Sequence, residues 1–573
     1  MTLAVGLAAI SFTTGDAPAG AAPGHGTPAP SGQAASGATA KKGGTPSQKA
    51  KDKSTGSAGK LPLGRMLPAL AGPRVASVTG NHRIVLTWPH VIGGVKYRVK
   101  YAKTKSLKHA KARTVRGESA TLTRLKNGKR YYVKVVTLRG RLHSAPRWLR
   151  VTPSAAAPSR PHGVAARGTG AQDQIRVTWR RPARTGSVQI WVAANRRAFT
   201  EKVPQDMLLK VTGLSPKAIS RVITLPSGLA AKVGSRSGNP MYVRVYFSNG
   251  GRTSTENAVV AWATPPAPRG GASLRVATYN IRNVAASLGD VGNTWEDRRG
   301  RVANDIIASG AALVGVQECA RTPLASGVTQ CADLVDQLRA KGSRLTLGVP
   351  DGDVHAIAVD GRGYTTRLLY DPTVLDRLAG GLQPQRELAA PGTPWLDETG
   401  ATETDRTIEW GRFRVRATGQ VFVALSIHLQ SGSYPAAIQI RQAAIAGIDT
   451  FARNTAAGAP AVILGDFNSS PVTVNYPAND QQTYLVRAGW TSAAATVNRD
   501  VRWDTINTIQ NGIYPSRPST STINVGSRQD GIYTLGLGGA HGFAVQAILN
   551  ADGTFAQGYE GSDHQLVRAD LPL

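Results

Sequence analysis

Two short segments near the carboxyl end of the chain carry side chains suited to metal-assisted phosphate chemistry. Leu464 to Asn468 reads Leu-Gly-Asp-Phe-Asn, and about a hundred residues later Ser562 to His564 reads Ser-Asp-His. Each segment lies where an apolar run stops, so carboxylate, amide and imidazole groups would project from the ends of strands. Such groups bind divalent cations and transfer protons at phosphate esters.

Polar residues end several other apolar runs in the same part of the chain. Asn280, Glu318 and His428 each end such a run, as Asp466 does with Asn468 close behind it. A single Asn or Asp after a strand is usually a turn former. Its recurrence at successive strand ends indicates a shared site instead.

The runs themselves predict the fold class of this region. They are apolar enough to be strands buried on both faces, and helix-like segments at 298–309 and 436–453 alternate with them. Buried strands of this kind occur in sheets that are covered by helices. We therefore expect an α/β arrangement with helices outside packed sheets.

Residues 272–573 resemble the endonuclease/exonuclease/phosphatase superfamily, which has the DNase I-like fold. The resemblance covers about 300 residues and rests on six motifs in the family's order: Thr278-Tyr279-Asn280-Ile281-Arg282, Gly315-Val316-Gln317-Glu318, Ser426-Ile427-His428-Leu429, Gly465-Asp466-Phe467-Asn468, Gln529-Asp530-Gly531-Ile532 and Ser562-Asp563-His564. It implies a four-layer sandwich of two packed β-sheets flanked by helices, with the site at one edge. Gly531 departs from the family, in which a bulkier residue usually follows the aspartate.

The resemblance implies a divalent cation held by Asn280, Glu318 and Asp563, with Glu318 as the main ligand. Mg²⁺ is the expected ion, with Mn²⁺ or Ca²⁺ as alternatives. Mg²⁺ prefers oxygen ligands and keeps several waters, which suits one or two carboxylates and an amide. Bound there, the ion would neutralise phosphate oxygens during hydrolysis.

The remaining motif residues are expected to act on water and phosphate. By the family pattern, Asp466 and His564 orient and deprotonate the attacking water, and Asp530 fixes the imidazole tautomer. Asn468 holds a phosphate oxygen, and His428 contacts phosphate or protonates the leaving group. Which histidine is the base and which the acid stays open at this point.

Three further sets of residues carry expectations. Arg406 occupies the place of the family's phosphate-binding arginine, and a guanidinium can grip phosphate through two hydrogen bonds. Cys319 and Cys331 are the only cysteines of the chain. They would close a short disulfide in an oxidising compartment, with two free buried thiols as the alternative. Family residues in the helices, interpreted as packing and salt-bridge residues, are Trp295, Arg298, Arg441 and Gln442.

The net charge of +34 is unevenly distributed along the 573 residues. Residues 271–573 contain 25 Lys and Arg against 28 Asp and Glu, a net charge of −3, whereas residues 1–270 contain 44 against 7, a net charge of +37. A basic field of this kind attracts nucleic acid, anionic wall polymer or acidic lipid by a screened, largely non-specific force. A solubilising arm is the alternative.

The basic half contains an internal repeat. Residues 72–154 and 157–264 both show short alternating or apolar runs between turn residues, which predicts β-sandwiches. Both copies resemble fibronectin type III modules in an early Trp strand and a later Tyr strand, with Trp88 and Tyr132 in the first copy and Trp179 and Tyr242 in the second. These aromatic residues are expected to hold the two cores.

The first 71 residues differ in composition from the rest. Residues 1–21 resemble a signal peptide, with an apolar run at 3–12 that is too short to span a bilayer and a small-residue site at 19–21. Met1-Thr2 lacks a basic residue, which leaves the true start open. Residues 22–71, rich in Ala, Gly, Pro, Ser and Lys, are typical of a flexible linker. We expect a secreted monomer, extracellular or wall-associated, with no transmembrane segment.

Three functions compete on this basis. The first is a secreted, magnesium-dependent nuclease with nucleic acid as its substrate. The second is a phosphoesterase of the same fold that acts on sphingomyelin, phosphoinositide or another small phosphate ester. The third is a wall-binding or adhesion protein with a vestigial hydrolase domain. Fold alone does not separate them.

Overall fold

The computed structural model describes residues 70–573 apart from short segments. The segments left out are 93–95, 155–157, 182–185, 201–206, 250–251, 256, 265–270, 288, 291, 321–322, 352–363, 397–398, 402–405, 473–480, 508, 510–512 and 521–525. The signal peptide-like segment 1–21 and all but the last two residues of the predicted linker 22–71 lie outside the described residues. Across the described part, no helix has the length and apolar character needed to cross a bilayer.

Residues 76–151 form eight strands, which we call the first sandwich. They are β1 (Ala76–Gly80), β2 (Arg83–Thr87), β3 (Lys96–Ala102), β4 (Lys111–Val115), β5 (Ser119–Leu122), β6 (Tyr131–Arg139), β7 (Leu142–His143) and β8 (Arg147–Val151). One sheet has the order β1-β2-β5. In the other, β3 pairs with β4 and β6, and β6 also pairs with β7 and β8.

The core of the first sandwich contains Trp88, which is 3% exposed and whose ring lies 5.0 Å from that of Tyr97. The expectation that Tyr132 belongs to this core is wrong. Burial alternates along β6, so that Tyr131 is buried and Tyr132 points outward. Successive side chains of a strand face opposite sides of the sheet, and a shift of one residue therefore decides which tyrosine is inside.

Residues 165–261 form the second sandwich. Its elements are β9 (Ala165–Gly168), β10 (Gln174–Thr178), β11 (Ser187–Ala193), α1 (Arg197–Thr200), β12 (Met207–Leu214), β13 (Ser220–Thr224), α2 (Ser227–Val233), β14 (Met241–Asn249), β15 (Arg252–Thr253) and β16 (Asn257–Ala261). The sheets have the orders β13-β10-β9 and β12-β11-β14-β15, with β16 also on β14. Strands β10, β11 and β14 repeat the positions of β2, β3 and β6, and Trp179 is buried in the core.

Residues 274–571 form the α/β region. Its strands are β17 (Leu274–Asn280), β18 (Leu313–Ala320), β19 (Thr346–Leu347), β20 (Tyr364–Tyr370), β21 (Leu375–Pro384), β22 (Thr407–Val415), β23 (Val421–His428), β24 (Ala461–Asp466), β25 (Thr491–Ser492), β26 (Arg499–Asp500), β27 (Asp530–Leu535), β28 (Gly542–Val545) and β29 (Val567–Leu571). Its helices are α3 (Val284–Ser287), α4 (Trp295–Ser309), α5 (Gln330–Ala340), α6 (Gln385–Leu388), α7 (Pro435–Ala456) and α8 (Gln481–Arg487).

Two sheets of the α/β region pack face to face. Their orders are β19-β20-β18-β17-β29-β28-β26 and β21-β22-β23-β24-β27-β25. Apolar side chains such as Val276 and Leu464 fill the space between them. On the outer faces, α4 packs on the seven-stranded sheet through Ile306, and α7 packs on the six-stranded sheet through Ile445. Packed sheets with helices outside them fit the predicted α/β layering.

The second sandwich contacts the α/β region through the loop after α2. The guanidinium of Arg528, which is 4% exposed, donates to the backbone oxygen of Gly238 at 2.9 Å and to Oδ1 of Asn239 at 2.5 Å. Arg528 lies two residues before Asp530, and its backbone N–H donates to Ser470. The loop therefore helps to fix the segment that carries one of the predicted catalytic residues.

Replacing Asn239 by Ala should lower the free energy of unfolding of the full chain by about 1.5–3 kcal/mol, because a buried guanidinium loses a hydrogen-bond acceptor. Urea unfolding of both proteins measures the difference. Arg236→Ala is the matched control at the same contact: Arg236 is exposed and reaches the backbone oxygen of Gly489 at 3.3 Å, so its loss should change stability by less than about 0.5 kcal/mol. Equal effects of the two substitutions would contradict this view of the contact.

Candidate active site

The ends of five strands meet at one edge of the two packed sheets. In the six-stranded sheet, His428 is the partner of Asp466, which is in turn the partner of Asp530. In the seven-stranded sheet, Asn280 is the partner of Gln317, which directly precedes Glu318. Strand β17 packs against β24, and β18 packs against β23. The strand register therefore brings together side chains that are up to 250 positions apart in the sequence.

Asp466 lies at the centre of this cluster. Its Oδ2 is 3.1 Å from Nδ2 of Asn280, 3.5 Å from Nε2 of His428 and 3.8 Å from Nε2 of His564. Its Oδ1 accepts a hydrogen bond from the backbone N–H of Asn468 at 2.8 Å. A buried carboxylate with this many polar neighbours is fixed in orientation, as a group that positions a water must be.

Glu318 has an unusual backbone conformation. Its φ is +63°, and the pairing of β18 with β20 is irregular between Val316 and Cys319. Positive φ is uncommon for a non-glycine residue and marks backbone that is held by its surroundings. Here the irregularity turns the Glu318 carboxylate toward Asn283, whose backbone N–H and Nδ2 donate to Oε2 at 3.0 and 2.7 Å.

The pKa of Glu318 is lowered to about 2. Burial alone would raise it, but the charge of His428 and hydrogen bonds from Asn280 and Asn283 outweigh burial. His428 loses its charge above about pH 4, so the asparagine hydrogen bonds and the charge of His564 are the contributions that persist at neutral pH. Glu318 is therefore a carboxylate under all physiological conditions, which is the state that binds a cation.

Asn280 bridges the two carboxylates. Its Nδ2 donates to Oε1 of Glu318 at 2.9 Å and to Oδ2 of Asp466 at 3.1 Å, while its Oδ1 accepts from the backbone N–H of Arg282. Two carboxylate oxygens are thus held around the Asn280 amide N–H group. Carboxylate and amide oxygens suit Mg²⁺, with Glu318 as a residue that would hold it and Asn280 as another once its Oδ1 turned away from the Arg282 N–H.

Asp563, the third predicted metal ligand, is placed differently from the other two. Its carboxylate forms an ion pair with Arg282 at 2.8 Å and accepts from Ser562. Arg282 is itself held by Asp290 at 2.7 Å. In the structure Asp563 therefore neutralises an arginine beside Asn280 through one of its two carboxylate oxygens.

Asp530 and His564 form a hydrogen-bonded pair, as the motifs predict. Nδ1 of His564 lies 2.9 Å from Oδ2 of Asp530, and both side chains are buried. Burial alone would lower the pKa of His564, but the charge and hydrogen bond of Asp530, with Asp466 and Asp563, raise it well above its usual value. The charge and hydrogen bond of Asp530 thus favour the protonated form of His564. Asp466, Asp530 and His564 are also close enough to hold an ion, although the hydrogen bond already explains their proximity.

The other histidine of the cluster has the opposite pKa shift. Burial and the positive charge of Arg406 lower the pKa of His428 to about 4, against the opposing effects of Asp466 and Glu318. The structure thus places Arg406 near His428, and its guanidinium also reaches Oγ of Ser431 at 3.5 Å. At neutral pH His428 is an uncharged imidazole.

Asn468 does not point its amide N–H group into the cluster. Its Nδ2 donates to the backbone oxygen of Leu429 at 2.9 Å, and its φ is +47°. The expected contact of Asn468 with phosphate would therefore use another part of the residue, or a rotated side chain. Its observed contact ties the loop after β24 to the loop after β23.

Two buried arginines that the sequence assigned to packing support the site through backbone carbonyls. Arg298 donates to the carbonyl oxygens of Ile281, Arg282 and Gly561, which flank Asn280 and the Ser562–His564 motif. Arg441 donates to the oxygens of Gln430 and Gly432, just after His428. The sequence gives little sign of this role, since an arginine in a helical pattern is usually exposed. Asn283 was likewise missed, and its position directly after the first motif is the only clue.

Cys319 and Cys331 form a disulfide, and both residues are buried. The bond joins β18 to the first turn of α5 directly beside Glu318. Closing a loop of this size stabilises the fold by roughly 3 kcal/mol on the chain-entropy model.

Replacing both cysteines by Ala should therefore lower the free energy of unfolding by about 2–4 kcal/mol. Urea unfolding with and without a reducing agent provides the measurement. Reductant should destabilise the natural protein toward the level of the double variant and leave the double variant unchanged. A natural protein indifferent to reductant would contradict the prediction.

Parts of the chain are similar to solved structures of known proteins. No family model and no curated protein matches the chain. Over 52% of its length the chain is similar to a mannosyl-6-phosphatase from Bacteroides thetaiotaomicron, at 20% identity, 99% coverage of that structure and a TM-score of 0.37. It is also similar over 52% to the human Nocturnin catalytic domain with bound sulfate, at 16% identity, 94% coverage and a TM-score of 0.33. A two-domain fibronectin type III segment of chicken tenascin matches 34% of the chain, at 16% identity, 99% coverage and a TM-score of 0.23.

Proposed function

We propose that this chain is a secreted, metal-dependent phosphodiesterase whose substrate is nucleic acid. The observation that carries the proposal is the convergence of Asn280, Glu318, His428 and His564 around the carboxylate of Asp466, all within hydrogen-bond or ion-pair distance of a neighbour in the cluster. A bound Mg²⁺ would supply charge neutralisation at the phosphate. All other steps fall to side chains of the chain itself.

Asp466 orients the attacking water in this proposal. Its carboxylate is 1% exposed and is fixed by the backbone N–H of Asn468, so it can hold a water in one direction for in-line attack. Positioning of this kind contributes to rate because the reacting atoms need not be brought together during the reaction.

The pKa values of the two histidines are shifted in opposite directions, which supports different roles. The neutral His428 can accept a proton at pH 7, whereas the protonated His564 can donate a hydrogen bond to a phosphate oxygen or a proton to the leaving oxygen. We therefore assign His564 as the acid and His428 as the proton acceptor. The assignment differs from the family-based expectation that His564 deprotonates the water.

The distribution of charge favours nucleic acid over a small phosphate ester. The catalytic region has a net charge near zero, whereas residues 1–270 have a net charge of +37. A small ester gains little from a distant basic segment, but a polymer can be held there while one of its phosphates lies in the site.

A substrate panel tests the proposal. The purified full chain is incubated with plasmid, single-stranded DNA, RNA, sphingomyelin and a sugar phosphate, each with Mg²⁺, Mn²⁺, Ca²⁺ or a chelator. We expect metal-dependent cleavage of at least one nucleic acid and none with chelator. Intact nucleic acids together with cleavage of the lipid or sugar phosphate would replace nuclease by small-ester hydrolase. Equal residual rates for the natural protein and Glu318→Gln would favour the vestigial hydrolase.

A further inference from the structure

One outward face of the first sandwich combines cations with aromatic rings. The face lies on the sheet formed by β3, β4, β6, β7 and β8, on the side away from the core. We call it the basic aromatic face, and it consists of Arg98, Lys100, Tyr132, Lys134, Trp148 and Arg150. Arg98, Lys100, Trp148 and Arg150 are exposed, and Tyr132 and Lys134 are half-buried.

The strand register makes these residues one continuous surface. Lys100 is the partner of Lys134, which is in turn the partner of Trp148. In the next row, Tyr132 is the partner of Arg150. Partners in neighbouring strands are about 5 Å apart and share a face of the sheet. The rings and the cations therefore lie side by side on one surface.

Each ring has a cation beside it. Nζ of Lys134 is 5.7 Å from the centre of the Trp148 ring, and the guanidinium of Arg150 is 5.9 Å from that of Tyr132. Trp148 is 45% exposed, which is unusual for so large an apolar side chain. Residues 72–154 contain 20 Lys and Arg against one acidic residue, Glu118, and that residue contacts His90. The face thus has a strong positive field with little internal neutralisation.

The second sandwich has a similar cluster in the equivalent place, but there the chain itself covers it. Trp191 and Arg244 are partners on β11 and β14, as Lys100 and Lys134 are on β3 and β6. Arg244 is only 5% exposed, with its guanidinium 4.4 Å from the ring of Phe199 in α1. The Trp191 ring is contacted by Lys210 at 4.3 Å. In the second sandwich, chain segments thus fill the surface that the first sandwich leaves exposed.

We propose that the basic aromatic face binds single-stranded nucleic acid. Lys and Arg side chains would contact phosphates, and Trp148 and Tyr132 would stack on bases. This combination of a basic surface with aromatic platforms is how single strands are bound without sequence preference. A duplex hides its bases, and a purely phosphate-rich polymer offers none, so neither would use the rings. Binding is independent of the hydrolytic chemistry and can be measured without turnover.

The test uses the full chain in chelator, with fluorescence anisotropy of a labelled 20-nucleotide oligo-dT and of an oligo-U at several salt concentrations. The variant Lys100→Gln/Lys134→Gln/Arg150→Gln should weaken binding at least tenfold and reduce the slope of log affinity against log salt by about 2. The matched control Lys103→Gln/Lys105→Gln/Lys108→Gln removes the same charge from exposed positions between β3 and β4 and should change affinity less than threefold. Equal losses would overturn the proposal, because net charge alone would then explain binding.

Trp148→Ala separates stacking from charge. It should weaken oligonucleotide binding about fivefold or more, as expected for the loss of one stacked base, and leave binding to heparin unchanged. Thermal unfolding would check that the variant is folded. The proposal would be overturned if Trp148→Ala left the affinity for the oligonucleotide unchanged. It would also be overturned if the natural protein bound duplex DNA more tightly than single strands, or if its only Trp148-dependent affinity were for phosphatidylglycerol vesicles. Failure of hydrolysis in the substrate panel would not affect any of these readings.

Discussion

Replacing Glu318 by Gln should reduce Mg²⁺-supported hydrolysis by about 10²-fold or more, because a metal at a phosphate contributes several kcal/mol to the transition state. The substitution preserves size and hydrogen bonding to Asn283 but removes the negative charge. Initial rates over a range of Mg²⁺ concentrations provide the measurement, and the concentration needed for half-maximal rate should rise as well.

Glu296→Gln is the matched control for that experiment. Glu296 is exposed in the first turn of α4 and lies outside the cluster, so the same chemical change should leave the rate within about twofold, as for most surface substitutions. A Glu318→Gln protein with natural rates and an unchanged Mg²⁺ requirement would show that the cation, if one acts, is bound elsewhere. The group formed by Asp466, Asp530 and His564 would then be the next place to test.

Replacing His564 by Ala should reduce the rate by about 10²- to 10⁴-fold, which is the usual contribution of a positioned acid or base. The pH dependence is more informative, because Asp530 helps to hold the pKa of His564 above its usual value. If protonated His564 is the active form, activity falls as pH rises through that raised pKa. Asp530→Asn removes the stabilising charge, lowers the pKa of His564 and should move this alkaline decline to lower pH.

The rate profile of Asp530→Asn between pH 5 and 10 is compared with that of Asp500→Asn. Asp500 forms an exposed ion pair with Arg502, so its loss should leave the profile in place. If the rate of Asp530→Asn declines at the same alkaline pH as that of the natural protein, the assignment of His564 as the acid is contradicted. A shift of the acidic limb instead would restore the earlier expectation that His564 is a base.

The sequence was sufficient to predict which residues lie together at the site, but not the hydrogen-bond and ion-pair partners of each side chain. Apolar runs that end in Asn280, Glu318, His428 and Asp466 were sufficient to locate a shared edge, because strand ends of a packed sheet lie together. The orientation of each side chain depends on neighbours that no local pattern reveals. Asp563 is paired with Arg282, and Asn468 is turned toward Leu429, through contacts set by the final packing.

Small changes of register also limit what a sequence can predict. Tyr131 and Tyr132 have the same side chain in adjacent positions, and only the pairing of β6 decides that the first is in the core. The irregularity at Glu318 is similar, since a regular continuation of β18 would place its carboxylate on another side of the sheet. Buried arginines such as Arg298 are also hard to predict, because the carbonyl groups to which they donate hydrogen bonds belong to loops elsewhere in the sequence.

The contact of Arg528 with Gly238 and Asn239 limits how domains of this chain can be exchanged between proteins. An α/β region cut at the Pro/Gly-rich stretch 265–270 would leave behind the loop that holds the backbone leading to Asp530. The α/β region should therefore be transferred together with the second sandwich. A different β-sandwich at that position would have to supply a loop that accepts the hydrogen bonds of Arg528. The first sandwich, with its exposed cations and rings, can be replaced by another domain without the loss of this contact.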